Sequence, residues 1–167
     1  MTDDAQQTWT DYYARIRRRR IAEAQILHSQ MAADGVNDDT VLALDFLHFG
    51  PVAQDVRDLA EQLAENYAMT VSPREDGEYW NTSGTTRPEG VDGMDLQRCV
   101  DWVTFMCDVA NSYGCVFSTW RLTDPVRDQF WTNETIDADP EVGGEHGVYA
   151  EACGTPSLVW QRAFALV

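Results

Sequence analysis

VLALDFLHFG, Val41–Gly50, is the segment from which the fold can be read. Valine, leucine and phenylalanine occupy both alternating faces, so it suits a strand covered on two sides at the middle of a sheet. Asp45 and His48 are its polar members. Gly50-Pro51 stops the strand, and proline is tolerated in the first turn of a helix. Val52, Val56, Leu59, Ala60 and Leu63 then recur at helical spacing, with Arg57, Asp58, Glu61 and Glu65 on the opposite side. A short strand follows over 68–71.

The same order then repeats. A strand is expected over 78–86, with Tyr79 and Trp80 at its start. Glycines and Pro88 make an irregular loop, and Asp92 or Asp95 can cap the next helix. Leu96, Cys99, Val103, Met106, Cys107 and Ala110 form its apolar stripe. Asn111–Gly114 ends it, and Cys115–Leu122 reads as the last core strand. Two such halves joined end to end predict an α+β domain, the ferredoxin-like β-α-β-β-α-β two-layer sandwich.

Outward from this core, residues 8–33 read as one long helix, with Trp9, Tyr13, Ile16, Ala24, Leu27 and Met31 on its buried side. Asp34-Gly35 ends it, glycine being free to adopt a left-handed backbone. Arg17–Arg20 interrupts the stripe; four consecutive helical residues point all round the axis, so the run reads as a solvated turn salt-bridged to Glu23. Past Asp124-Pro125 acids accumulate and arginine nearly vanishes, which predicts a loop-rich extension; Leu158–Val167 is apolar again. The expected organisation is therefore an N-terminal helix (1–36), a core (37–124) and an acidic C-terminal extension (125–167). Either flank is a candidate to cover the sheet face opposite the helices.

The 167 residues carry a formal net charge of −16 and no lysine, all basic side chains being arginine. Such a surface repels phosphate backbones and attracts basic proteins. Direct nucleic-acid binding is disfavoured. No apolar run approaches the roughly 20 residues that span a bilayer, and MTDDAQQTW is too acidic and polar for a secretory signal. A cytoplasmic protein, monomeric or homodimeric, is expected. The cysteines at 99, 107, 115 and 153 lack CxxC spacing and read as reduced, buried thiols.

The run LHSQMAADGVNDDTVLALDFLHFGPVAQDVRDLAEQLAENYAMTV, Leu27–Val71, resembles the bacterial regulator of ribonuclease activity B family. In that family a helix ends in an Asp-Gly turn and is followed by a strand with histidine near its end, a helix and a short strand. Later, a Tyr-Asp-Gly-Trp strand is typical; here Phe117-Ser118-Thr119-Trp120, within SYGCVFSTWRLTDP, stands in its place and keeps the aromatic and the tryptophan. The resemblance spans Ile16–Pro125. It implies a ferredoxin-like fold and a protein that binds an endoribonuclease, ribonuclease E, and modulates RNA decay without catalysing a reaction. Members of the family end in a very acidic tail; the present tail is acidic but carries aromatics and an apolar end.

Residue patterns for chemistry are sparse. His28, His48 and His146 are scattered, without the i, i+4 spacing of a helical metal pair. Asp137-x-Asp139-x-Glu141 begins like a calcium loop but has Val142 at the sixth position and Val148 at the twelfth. A phosphate-binding loop is excluded because it requires lysine. No cofactor, metal or catalytic residue is assigned. The expected function is that of a non-enzymatic binding protein, a regulator or inhibitor of a basic protein partner, with a nuclease as the partner the resemblance implies. Trp80, Trp120 and Trp131 are its expected aromatic anchors, Trp131 being the one expected to be exposed, and Asp137, Asp139 and Glu141 its acidic contacts. The alternative is a small metal-binding protein or hydrolase using His48 or the Glu145–Cys153 region.

Overall fold

The computed structural model describes residues 2–136, and the expectations for Asp137, Asp139, Glu141, Glu145–Cys153 and Leu158–Val167 lie outside them. Among the described residues the chain is α+β, with three α-helices and one five-stranded antiparallel sheet. The elements in order are α1 (Thr2–Ala33), β1 (Ala43–Gly50), α2 (Ala53–Leu63), β2 (Ala68–Pro73), β3 (Trp80–Thr85), α3 (Leu96–Ser112), β4 (Val116–Asp124) and β5 (Gln129–Thr132). Across the sheet the strands run β2-β3-β1-β4-β5.

β1 is the central strand, and all eight of its residues are buried. Leu44, Phe46 and His48 point to the face that carries the helices. There they meet Val56, Leu59 and Leu63 of α2, and Val103 and Met106 of α3. Trp120 and Leu122 of β4 lie beside Phe46 and Leu44 and extend the same apolar face. α3 starts where its sequence places it: the Asp95 carboxylate accepts the Arg98 amide hydrogen at 2.8 Å, satisfying one of the donors a helix start leaves open.

On the opposite face, Asp45 is 1% exposed between strand neighbours. Its carboxylate accepts Thr85 Oγ1 and, at 3.3 Å, Arg87 Nη2. A buried carboxylate requires such partners.

β4 is where the fold departs most from expectation. β5 pairs with 121–124 only, so among the described residues the first half of the β4 edge has no neighbouring strand. A β-bulge at Ser118 also shifts its register against β1. Side chains take over the edge. Tyr13 Oη donates to the Cys115 carbonyl at 2.6 Å, and Arg20 Nε to the Phe117 carbonyl at 3.0 Å. Asn133, in a one-turn 3-10 helix after β5, donates to the Ser118 carbonyl at 3.2 Å and accepts the Trp120 amide at 2.9 Å. Glu23 ties the two sides together: it accepts Arg20 Nη1 at 2.7 Å, Arg19 Nε at 3.0 Å and Asn133 Nδ2 at 2.8 Å. Arg20, Glu23 and Asn133 are all buried.

The arginine run is therefore not a uniformly solvated turn. Arg17 and Arg18 are exposed, whereas Arg20 enters the protein because strand carbonyls and a carboxylate await it. Segment 125–136, expected to be loop-rich, instead adds β5 to the sheet. α1 also begins earlier than its apolar stripe suggests. Nor does its C-terminal half cover the second sheet face: Ala24, Leu27 and Met31 join the core on the helix side. Farther toward its N-terminus, Tyr13 and Ile16 reach past the start of β4 to Phe49 and Val116, forming a second, smaller cluster.

Gly84 marks the tightest packing against β1. A Cβ placed there would lie 2.2 Å from Phe46 Cζ and 2.7 Å from Met69 Sδ, and Phe46 is fully buried. Gly84→Ala is expected to cost about 1–3 kcal/mol through overpacking, seen as a lower urea midpoint at unchanged denaturant slope. An unchanged midpoint would contradict this packing.

Candidate functional site

Among the described residues, His48 and the thiols of Cys99, Cys107 and Cys115 are enclosed, and His28 is half-buried. His48 is 0% exposed. It stands 5.6 Å from the Phe46 ring and 5.0 Å from the Phe117 ring. Its Nε2 is 3.3 Å from the Met106 carbonyl oxygen, and Nδ1 has no hydrogen-bond partner among the described residues. Burial pushes its pKa down to about 4, outweighing the carbonyl, which acts in the opposite direction. The ring is therefore neutral at physiological pH and closed off from solvent.

Cys99, Cys107 and Cys115 are free and buried. Burial raises their pKa to about 11, about 12 and about 12, so they remain thiols rather than reactive thiolates. Among the described residues, no group of three or more His, Cys, Asp or Glu side chains converges in a way that could hold a metal ion. No helix among them is long and apolar enough to cross a membrane.

Of the three tryptophans expected to anchor a partner, Trp80 alone retains access. It is half-buried at the start of β3, with the Arg57 guanidinium 5.2 Å from its ring centroid. Trp120 is 2% exposed, stacked on Phe117 beneath the helices rather than on the opposite sheet face. Trp131, expected to be exposed, is 6% exposed: it pairs across from Leu122, and its Nε1 donates to Asp34 at 2.8 Å. An indole held in this way cannot insert into another molecule without breaking the core. These two are corrected from contact residues to packing residues.

The helices carry a large share of the accessible charge, with Arg15, Arg17 and Arg18 exposed on α1 and acids prevailing on the other two. α2 and the residues after it carry Asp55, Asp58, Glu61 and Glu65, with Arg57 as their neighbouring cation, already stacked on Trp80. α3 adds Asp101 and Asp108, and Phe105 between them is 48% exposed.

α1 runs antiparallel to α3: Ala24 and Leu27 approach Cys99 and Val103, while Arg17 meets Asp108. α3 ends at Ser112 but α1 continues, and a groove of about 280 Å³ opens at the divergence. Gln6, Trp9, Tyr13 and Arg17 line it from α1, and Asp108 and Asn111 from α3. Trp9 is 40% exposed and meets Tyr13 edge to face at 4.8 Å. It had read as a core residue because it continues the helical stripe. The missing signal is the shorter partner helix, which leaves the stripe's first member without a cover.

No family model matches the chain, and no curated protein matches it.

The histidine makes a testable contribution to stability. Its folded-state pKa of about 4 lies below the ordinary 6.5, so between those values the unfolded chain takes up a proton that the folded chain refuses. The stability is fully present above pH 6.5 and is lost as pH falls toward 4. From about pH 7.5 to about pH 5 this group is expected to remove about 2 kcal/mol. Urea unfolding of His48→Gln should show a pH dependence smaller by that amount. An identical pH dependence in the variant would show that His48 is not the group responsible.

Proposed function

We propose that this chain is a non-catalytic regulator that binds a basic protein partner in the cytoplasm, with a ribonuclease as that partner. The observation carrying this reading is the contrast between interior and exterior. Every thiol among the described residues and His48 are buried and held neutral, while α2 and α3 carry Asp55, Asp58, Glu61, Asp101 and Asp108 outward against Arg57 and Arg98. Electrostatic attraction would accelerate encounter with a positively charged partner, and contacts at the helix surface would then hold it.

The strand order supports kinship with the ferredoxin-like proteins that the sequence resembles. Read from β4, the first four strands run β4-β1-β3-β2, all antiparallel. α2 connects β1 to β2, and α3 connects β3 to β4. This order agrees with the split β-α-β pattern, with β5 added at one edge and α1 beside α3. The acidic residues Asp137, Asp139 and Glu141 belong to this reading as further attraction for the partner, and Trp80 as its accessible aromatic.

The test is binding to purified ribonuclease E by biolayer interferometry, with cleavage of a model RNA followed in parallel. Saturable binding is expected, weakening roughly tenfold between about 50 mM and about 300 mM salt, with slower cleavage of the RNA. No binding at either salt concentration would overturn the ribonuclease assignment. Binding that is insensitive to salt would overturn the electrostatic mechanism.

A further inference from the structure

We propose that the groove between α1 and α3 receives an arginine side chain of the basic partner; this deepens the preceding reading and rests on it. The argument starts from what lines the groove. Trp9 and Tyr13 supply aromatic rings fixed against each other at 4.8 Å, and Tyr12 stacks on Trp9 at 5.7 Å. Fixed rings lose little freedom on binding, and a guanidinium is attracted to an indole within about 6 Å of its centre. Asp108, Asn111 and Gln6 add oxygen acceptors at the same groove. An arginine presents five N–H donors in a planar fork, so a site that combines a flat aromatic ring with several oxygens suits it better than lysine, whose charge is a compact point.

The volume decides further. About 280 Å³ is small for a folded element but suits one long side chain. A nucleotide could stack on the same indole, but among the described residues the one cation lining the groove, Arg17, is already engaged by Asp108. An aliphatic side chain would desolvate Asp108 and Asn111 without replacing their hydrogen bonds.

Arg17 already bonds Asp108, its Nε lying 3.0 Å from Oδ1. The pair is loosely held, with the two side chains 47% and 57% exposed. An incoming guanidinium can therefore share or replace it, and Arg17 acts as an internal competitor for the site. This yields a discriminating prediction: removing one charge of the pair weakens binding, and removing the other strengthens it.

The experiment is calorimetric titration of the full chain with a Gly-Arg repeat peptide, and with the same peptide carrying neutral citrulline at every arginine. The arginine peptide should bind and the citrulline peptide should not. Trp9→Leu and Asp108→Asn should each weaken binding roughly tenfold, Arg17→Gln should tighten it several-fold, and Asp58→Asn on α2 should leave it within about twofold of the wild type. Circular dichroism of Trp9→Leu checks that the exposed position has been altered without unfolding. Three results would overturn the proposal. Trp9→Leu binding as tightly as the wild type would remove the groove but leave the acidic-exterior reading standing. Equal binding of the citrulline peptide would remove arginine recognition. No arginine-peptide binding by the wild type, while ribonuclease E still binds, would place the contact elsewhere on the surface.

Discussion

Among the described residues, half of the β4 edge has no strand beside it, and the protein depends on how that edge is closed. Unpaired strand carbonyls and amides inside a protein are costly, and a free edge invites pairing with another chain. Here the closure uses side chains: Tyr13, Arg20 and Asn133 bond the carbonyls of Cys115, Phe117 and Ser118, and Asn133 also takes the Trp120 amide. A charged group can serve in this way only if its own charge is met. Glu23, 1% exposed, meets it with hydrogen bonds from Arg19, Arg20 and Asn133.

The position of α1 follows from this closure. The anchor lies near the helix middle, so the turns beyond it are held against the core through Ala24, Leu27 and Met31. Its far end is tied again, since Asp34 accepts the Trp131 indole through its carboxylate and Arg127 through its carbonyl. The turns before the anchor have less to rest on. Tyr13 and Ile16 reach Phe49 and Val116, but Trp9 and Gln6 project past the end of α3 and form one wall of the groove. A buried polar cluster thus sets the geometry of an accessible surface some turns away.

Much of the architecture was legible because it is written in local periodicity. β1 is apolar on both faces, and α2 and α3 carry clean stripes, so their existence and order were readable. The features that were hidden depend on distant partners. Arg20 sits in a charge run that looks solvated, and its carbonyl partner Phe117 is 97 residues away. Trp131 looks like an anchor in an acidic stretch, and its partner Asp34 is also 97 residues away. β5 is four residues long and has no pattern of its own; it forms because β4 offers an edge. The bulge at Ser118 breaks the alternation from which the facing of Trp120 would be read. The groove was invisible for the same reason, since it results from the unequal reach of two helices.

His48 and the thiols of Cys99, Cys107 and Cys115 are core material, and charged side chains lie outside. That exterior has a defined shape only while α1 stays seated, which makes the Arg20–Glu23 pair the point to test. A double-mutant cycle with Arg20→Met, Glu23→Met and the double variant, followed by urea unfolding, measures it directly. Glu23→Met is expected to cost about 3–5 kcal/mol by leaving buried Arg20 without its carboxylate. Arg20→Met should cost less because Arg19 and Asn133 still bond Glu23, and the double change should cost clearly less than the sum of the two. Small losses that simply add would contradict the account, because the pair would then not be what holds α1 against the β4 edge.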